Sequence, residues 1–146
     1  MHFEIDAPNT IDIQLDKGAY MPECAHEADA GYDIRTPDNY TLKPHDSIVV
    51  DTGVHMAIPH GFAGFLKSKS GLNVRNNITG TGLIDASYNG SIVVKLYNNG
   101  DEPHEFWRGD KLIQIVLLPI YKPNFRQVEK LEDTERGANG FGSTGR

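Results

Sequence analysis

The chain has 146 residues, about the length of one domain, with 38% apolar residues, 23% charged residues and a net charge of −6. A domain of that size holds a core without metal or disulfide, and a lone cysteine, Cys24, excludes both an internal disulfide and a cysteine-based zinc site. No apolar run approaches the roughly 18 residues that cross a bilayer, and the acidic balance argues against nucleic acid as a partner.

The start, Met1–Asp6, has neither the basic nor the apolar stretch of a secretory signal, so a cytoplasmic location is expected. Two-residue alternation then predicts a half-buried strand at Ile11–Leu15 and another at Val54–Ile58, with a turn at Lys43–Asp46 between them. A turn at Pro59–Gly61 leads into a strand at Phe62–Leu66, and Ser70–Asn76 is the one stretch that suits a helix. Gly80 and Gly82 predict a tight turn inside a hairpin spanning Thr79–Ile84. Alternation resumes at Ile92–Leu96, and Asn98–Asp101 and Arg108–Asp110 read as turns. Leu112–Leu118 is apolar at nearly every position and predicts a strand buried on both faces. Many short strands separated by Gly, Asn and Pro turns make the chain all-β: a sandwich, jelly roll or barrel. The division expected is a β domain over 1–135, then a flexible arm over 136–146 with glycines at 137, 140, 142 and 145.

Charge is unevenly spread. Residues 52–84 contain no Asp or Glu but carry Lys67, Lys69 and Arg75, and residues 136–146 are acid-free with an arginine at each end. Such islands on an acidic protein can attract a small polyanion, although chance segregation on a solvated surface produces the same pattern. Lys67-Ser-Lys-Ser-Gly71 puts two cations and two hydroxyls on a turn, without the order of a P-loop. Asp85, following an apolar pair, suits a carboxylate that deprotonates water, or equally an ordinary turn aspartate. Gly140–Gly145 matches GxGxxG but lacks the strand and helix of a dinucleotide site; its NH groups can still wrap a phosphate, with Arg136 as a forked partner and Phe141 as a ring without a local core. Zinc-hydrolase spacing, a serine elbow and the deaminase H-x-E signature are all absent.

Taken in order, these stretches resemble the five motifs of the trimeric dUTP pyrophosphatase (dUTPase) family: Ala30–Thr36, Lys67–Leu72, Thr79–Gly90, Arg108–Gln114 and Arg136–Gly145. The resemblance implies a jelly-roll (β-clip) subunit in a homotrimer whose sites combine residues of three subunits. It implies hydrolysis of dUTP to dUMP and pyrophosphate by water attack on the α-phosphorus, which lowers dUTP and supplies dUMP for thymidylate synthesis. Asp85 would be the general base, Ser70 would act at the α–β bridging oxygen, and Asp33 would orient water or basic groups. Lys69, Ser70, Gly71 and Gln114 would hold phosphates. Thr79, Gly82, Leu83 and Ile84 would read uracil through backbone groups, and Tyr88 would exclude a 2′-hydroxyl. Phe141 would stack on uracil while Arg136, Gly142, Ser143 and Thr144 enclose the triphosphate. Mg²⁺ would ride on triphosphate oxygens and water rather than on protein ligands. Lys69 stands where most relatives carry arginine, a point charge in place of a bidentate fork. Two other readings remain: a dCTP deaminase on the related fold, which needs a further glutamate that Thr79–Tyr88 lacks, and a trimer that binds a protein inhibitor or regulator through the nucleotide site.

Overall fold

The computed structural model describes residues 7–140. Ten strands and one helix occur among them: β1 Ile13–Leu15, β2 Tyr32–Arg35, β3 Tyr40–Leu42, β4 Ser47–Asp51, β5 Val54–Met56, β6 Phe62–Lys67, α1 Ser70–Asn76, β7 Ile78–Ile84, β8 Val93–Asn98, β9 His104–Phe106 and β10 Lys111–Pro119. Six strands form one antiparallel sheet in the order β2-β10-β6-β7-β8-β4, and β1-β5 and β3-β9 form two-stranded ribbons. The chain is all-β as its punctuation implies, with every sheet neighbour except β6-β7 and β7-β8 distant in sequence order.

Strand alternation decides which side chains make the core. Ile34, Val50, Leu66, Ile78, Val94, Leu96, Ile113 and Ile115 point to one face of the large sheet. They join Val54, Met56 and Ile58 from the first ribbon region and Leu42 and Phe106 from the second in a single buried cluster. Among the described residues, no element covers the opposite face. Val49, Leu83, Val93, Tyr97 and Leu118 are all exposed there, and the ladder registers place them on that one side. β10 is therefore not buried on both faces: consecutive buried side chains occur only at Leu112 and Ile113, beside a bulge between Lys111 and Ile113. Beyond it, Val116 is half-buried and Leu118 lies open to solvent.

The expected helix forms over Ser70–Asn76. Asn77, in the left-handed region at φ 58°, closes it by donating its N–H to the Leu72 and Asn73 carbonyls. The expected tight turn at Gly80 and Gly82 does not form. Both glycines lie inside β7, and close packing is what requires them: a Cβ at Gly80 would stand 2.7 Å from Leu96 Cδ2, and one at Gly82 would stand 2.9 Å from Leu66 Cδ1. The hairpin is instead the β7–β8 pair, closed by the long loop through Asp85–Ile92. Among the described residues, regular structure ends at Pro119, well before residue 136, and residues 121–139 are exposed throughout.

Candidate active site

Three stretches far apart in sequence converge at the end of β2, β6 and β10. Ala30, Gly31 and Asp33 from the first, Lys69 and Ser70 from the second and Gln114 from the third line one cavity of about 240 Å³, together with Asp29. Sheet order explains the convergence. β10 lies between β2 and β6, so Gln114 is opposite Asp33 on one side and Lys67 on the other. The Gln114 amide then donates to the Ser68 carbonyl at 3.1 Å, tying the fourth motif to the turn that carries Lys69.

Asp33 is the electrostatic centre of this half. It is 4% exposed, and its carboxylate is shared between the Lys69 ammonium, in very close contact, and the Lys111 ammonium at 3.1 Å. Burial pushes its pKa up, but hydrogen bonds and charge from Lys69 and Lys111 outweigh that and hold it below the usual carboxylate range. Asp33 thus stays ionised and aims two cations, while Lys69 keeps N–H groups for a phosphate. Lys69 is the N-cap position of α1, with Ser70 and Gly71 exposed at its start.

The other half lies at the far end of β7. Asp85 follows Ile84, which is opposite Gly64, whereas Lys69 follows Lys67, which is opposite Thr81. About 10 Å of strand separates Gly64 from Lys67, and each group lies beyond its own end of that stretch. Asp85 is exposed, not set in a partly apolar pocket, and the cavity at Lys69 takes no wall from residues 78–90. One chain does not bring Asp85 and the Lys69–Gly71 turn together.

What one chain does provide is a rigid mount for the loop after Asp85. The Tyr88 hydroxyl donates to the Ser91 carbonyl at 2.6 Å, and its ring lies against Gly90, where a Cβ would meet the hydroxyl oxygen at 2.6 Å. Ser91 Oγ donates to Asp51 and accepts the Gly53 N–H at 2.9 Å. The Ser91 hydroxyl and the Gly53 N–H hold the Asp51 pKa below its ordinary value. His55 spans the Asn89 carbonyl at 2.8 Å and the Asp16 carboxylate at 3.0 Å. These partners, Asp16, Asp51, His55 and Ser91, carry no motif and lie outside the residues predicted from sequence.

The remaining candidates are placed as follows. Thr79 faces the open side of the sheet, where its hydroxyl accepts from Asn99 Nδ2 at 3.1 Å. Gly82, Leu83 and Ile84 pair with β6 on one side only, since β8 pairs with β7 no further than Gly80; their outer backbone edge has no ladder. Such an edge presents alternating N–H and C=O groups, the complement of a base's pairing edge. Arg136 is exposed and donates to the Asn139 carbonyl at 2.7 Å. Phe141, Gly142, Ser143 and Thr144 lie outside the described residues.

Comparison with known proteins agrees with these motifs. The sequence model of the dUTPase family matches residues 17–145. The chain is 38% identical over 135 residues to a mouse deoxyuridine 5′-triphosphate nucleotidohydrolase, covering 92% of this chain and 83% of that protein. The Staphylococcus bacteriophage 80alpha dUTPase, solved with dUpNHpp, superposes with a TM-score of 0.86 at 33% identity, covering 95% of this chain and 100% of that one. A variant of the phage phi11 dUTPase, described for its coordination of a structural Mg(II) ion, superposes with a TM-score of 0.80 at 32% identity, covering 86% and 100%.

Proposed function

The chain belongs to the dUTPase family, and from that membership we propose that it is a dUTP diphosphatase, hydrolysing dUTP to dUMP and pyrophosphate. The observation that carries this reading is the meeting of Asp33, Lys69, Ser70 and Gln114 around one small cavity. Cations and polar donors gathered there suit a triphosphate, and phosphoryl transfer asks for little beyond positioning and charge neutralisation.

The reaction divides as follows. Asp85 takes a proton from water as its oxygen bonds to the α-phosphorus. The bond from that phosphorus to the α–β bridging oxygen breaks, with the Ser70 hydroxyl donating to the bridging oxygen, and pyrophosphate leaves. Lys69, the Gly71 backbone and Gln114 hold the phosphates. The unladdered edge of Gly82–Ile84, with Thr79 beside it, takes the uracil edge. Tyr88, braced by Ser91, closes the space that a 2′-hydroxyl would need. Arg136 and the residues Phe141–Thr144 cover the bound nucleotide and exclude water.

Among the described residues no group of three or more His, Cys, Asp or Glu side chains gathers as a metal site, and Asp33 is occupied by two ammonium groups. We infer that a hard cation would be carried by triphosphate oxygens and water beside the Lys69–Gly71 turn. Mg²⁺, when bound, neutralises phosphate charge and makes the α-phosphorus more electrophilic.

Separation of Asp85 from Lys69 within one chain, and the open apolar face of the sheet, support a homotrimer in which the two halves come from different subunits. Incubation with dUTP and Mg²⁺, read by pyrophosphate release, tests the activity. Wild-type protein is expected to release pyrophosphate, and Asp85→Asn is expected to lower kcat by roughly 10²- to 10⁴-fold. Equal release by the two proteins would refute the assignment of the base.

A further inference from the structure

A second, larger cavity of about 500 Å³ adjoins the phosphate-binding turn on the other side of Lys69. Lys69 and Gly71 border it on the near side, Arg35 and Lys111 line it from the sheet, and Arg75 and His104 line it from α1 and β9. Arg35 and Lys111 are cross-strand partners, so their cationic heads rise side by side. We propose that this cleft is a subsite for inorganic pyrophosphate, which receives the leaving group once it separates from dUMP. The inference rests on the dUTP reading above for the source of the anion, and on the cleft's own chemistry for its class.

Charge is the first argument. Four permanent cations, Arg35, Lys69, Arg75 and Lys111, face two carboxylates: Asp110 in the wall and Asp33 behind the two lysines. That leaves two positive charges in excess. Donor capacity is the second. One Arg35 nitrogen donates to the Gly109 carbonyl at 2.7 Å and leaves the rest of the fork available. Lys69 and Lys111 each pair with Asp33 and keep further N–H groups, while Arg75 forms no ion pair among the described residues. Asp110 is not a competing acceptor of equal strength, because its carboxylate already accepts the Trp107 N–H at 2.8 Å.

The walls suit an anion better than a base: the Phe106 ring is 1% exposed, and the half-buried His104 ring is already engaged edge-on against it at 4.5 Å between centroids. At about 30 Å³ per water the volume holds roughly 16 waters, enough for a hydrated pyrophosphate with its cation. Lys69, held by Asp33, borders both cavities, so its remaining N–H groups are shared between the site of cleavage and the cleft, which favours departure of pyrophosphate without release of dUMP.

Arg75→Gln and Arg35→Gln test this. Arg75 lies exposed on the last turn of α1, so its variant keeps the fold even where loss of the Arg35–Gly109 contact loosens the other. Two readouts are needed: calorimetric titration with magnesium pyrophosphate, and inhibition of dUTP turnover by pyrophosphate and by dUMP. Each variant is expected to weaken pyrophosphate binding and inhibition about tenfold, the loss of one charge-assisted contact. The dUMP inhibition constant and the KM for dUTP should stay within about twofold. Unchanged pyrophosphate binding in both variants would overturn the proposal. A rise in the dUTP KM by the same factor would overturn it too, since the substrate's own phosphates would then occupy the cleft. Were wild-type protein to bind pyrophosphate through Arg75 yet turn over no dUTP, the subsite would stand and the dUTP reading would fail.

Discussion

Asp33 shows how a nearly buried carboxylate in the wall of a cavity can orient the cations around it. Its carboxylate sits between Lys69 and Lys111, so each ammonium group is held in one direction while the repulsion between them is offset. Because its folded-state pKa lies below the ordinary value of about 3.9, Asp33 contributes stability that is present above that value and lost as pH falls through the lowered one. Asp33→Asn is expected to cost about 2 kcal/mol near neutral pH, less than the 3–5 typical of a fully buried broken pair, since both lysines keep contact with water. Urea unfolding at fixed protein concentration checks this, with the difference between the two proteins shrinking in acid as Asp33 protonates. A gap that stayed constant down to the acid limit would show that charge is not the cause. Of the residues gathered on this side, Lys69, Ser70 and Gly71 stand out in the sequence itself as a cationic, hydroxyl-bearing turn before a helix, whereas Asp33 and Gln114 were singled out only by resemblance to family motifs, because an Asp or a Gln on a strand has no local signal of its own. The role of Gly80 and Gly82 was not legible, because glycine suits a turn and a tight crossing alike, and only Leu96 and Leu66, on neighbouring strands, decide between them.

At the scale of elements, the loop from Asp85 to Ile92 is held by partners from the β4–β5 corner and the turn after β1. Those contacts span 34 to 40 residues of sequence, which is why no local pattern announces them. His55 is the titrating member. Both of its partners, a carbonyl and a carboxylate, can only accept, so the two contacts are made together by the imidazolium form. The Asn89 carbonyl first, then the Asp16 carboxylate, raise the His55 pKa, with Asp51 adding a smaller attraction. A raised histidine pKa gives stability that is full below the ordinary value of about 6.5 and lost as pH rises through the raised one. His55→Gln should therefore lower Tm near pH 5.5 and make no difference near pH 9 (both approximate), and NMR titration of His55 should give a pKa above about 6.5 that falls back in Asp16→Asn. A His55 signal titrating at its ordinary pH would remove the mount from the account of how Tyr88 is positioned.

At the scale of the whole molecule, the single chain sets Asp85 and the Lys69–Gly71 turn at opposite ends of the β6–β7 pair. The all-β architecture was legible because turn residues and alternation recur along its length. A site shared between subunits entered the sequence reading only through the family resemblance, because local pattern states which residues lie on β6 and β7 but not that Asp85 and Lys69 leave opposite ends of that pair. An arrangement of this kind makes a sharp prediction about mixtures. In the homotrimer proposed above, Asp85→Asn and Ser70→Ala are each expected to inactivate the assembly, because every site would then lack either its base or its hydroxyl. Unfolded together in equal amounts and refolded, they form mixed assemblies in which some sites draw an intact Asp85 from one chain and an intact Ser70 from another. Random assortment with one base and one phosphate-binding turn per site restores about a quarter of wild-type activity. Sites built within one chain would restore none, since each chain carries one lesion. Pyrophosphate release from the refolded mixture, compared with either variant refolded alone, decides between the two.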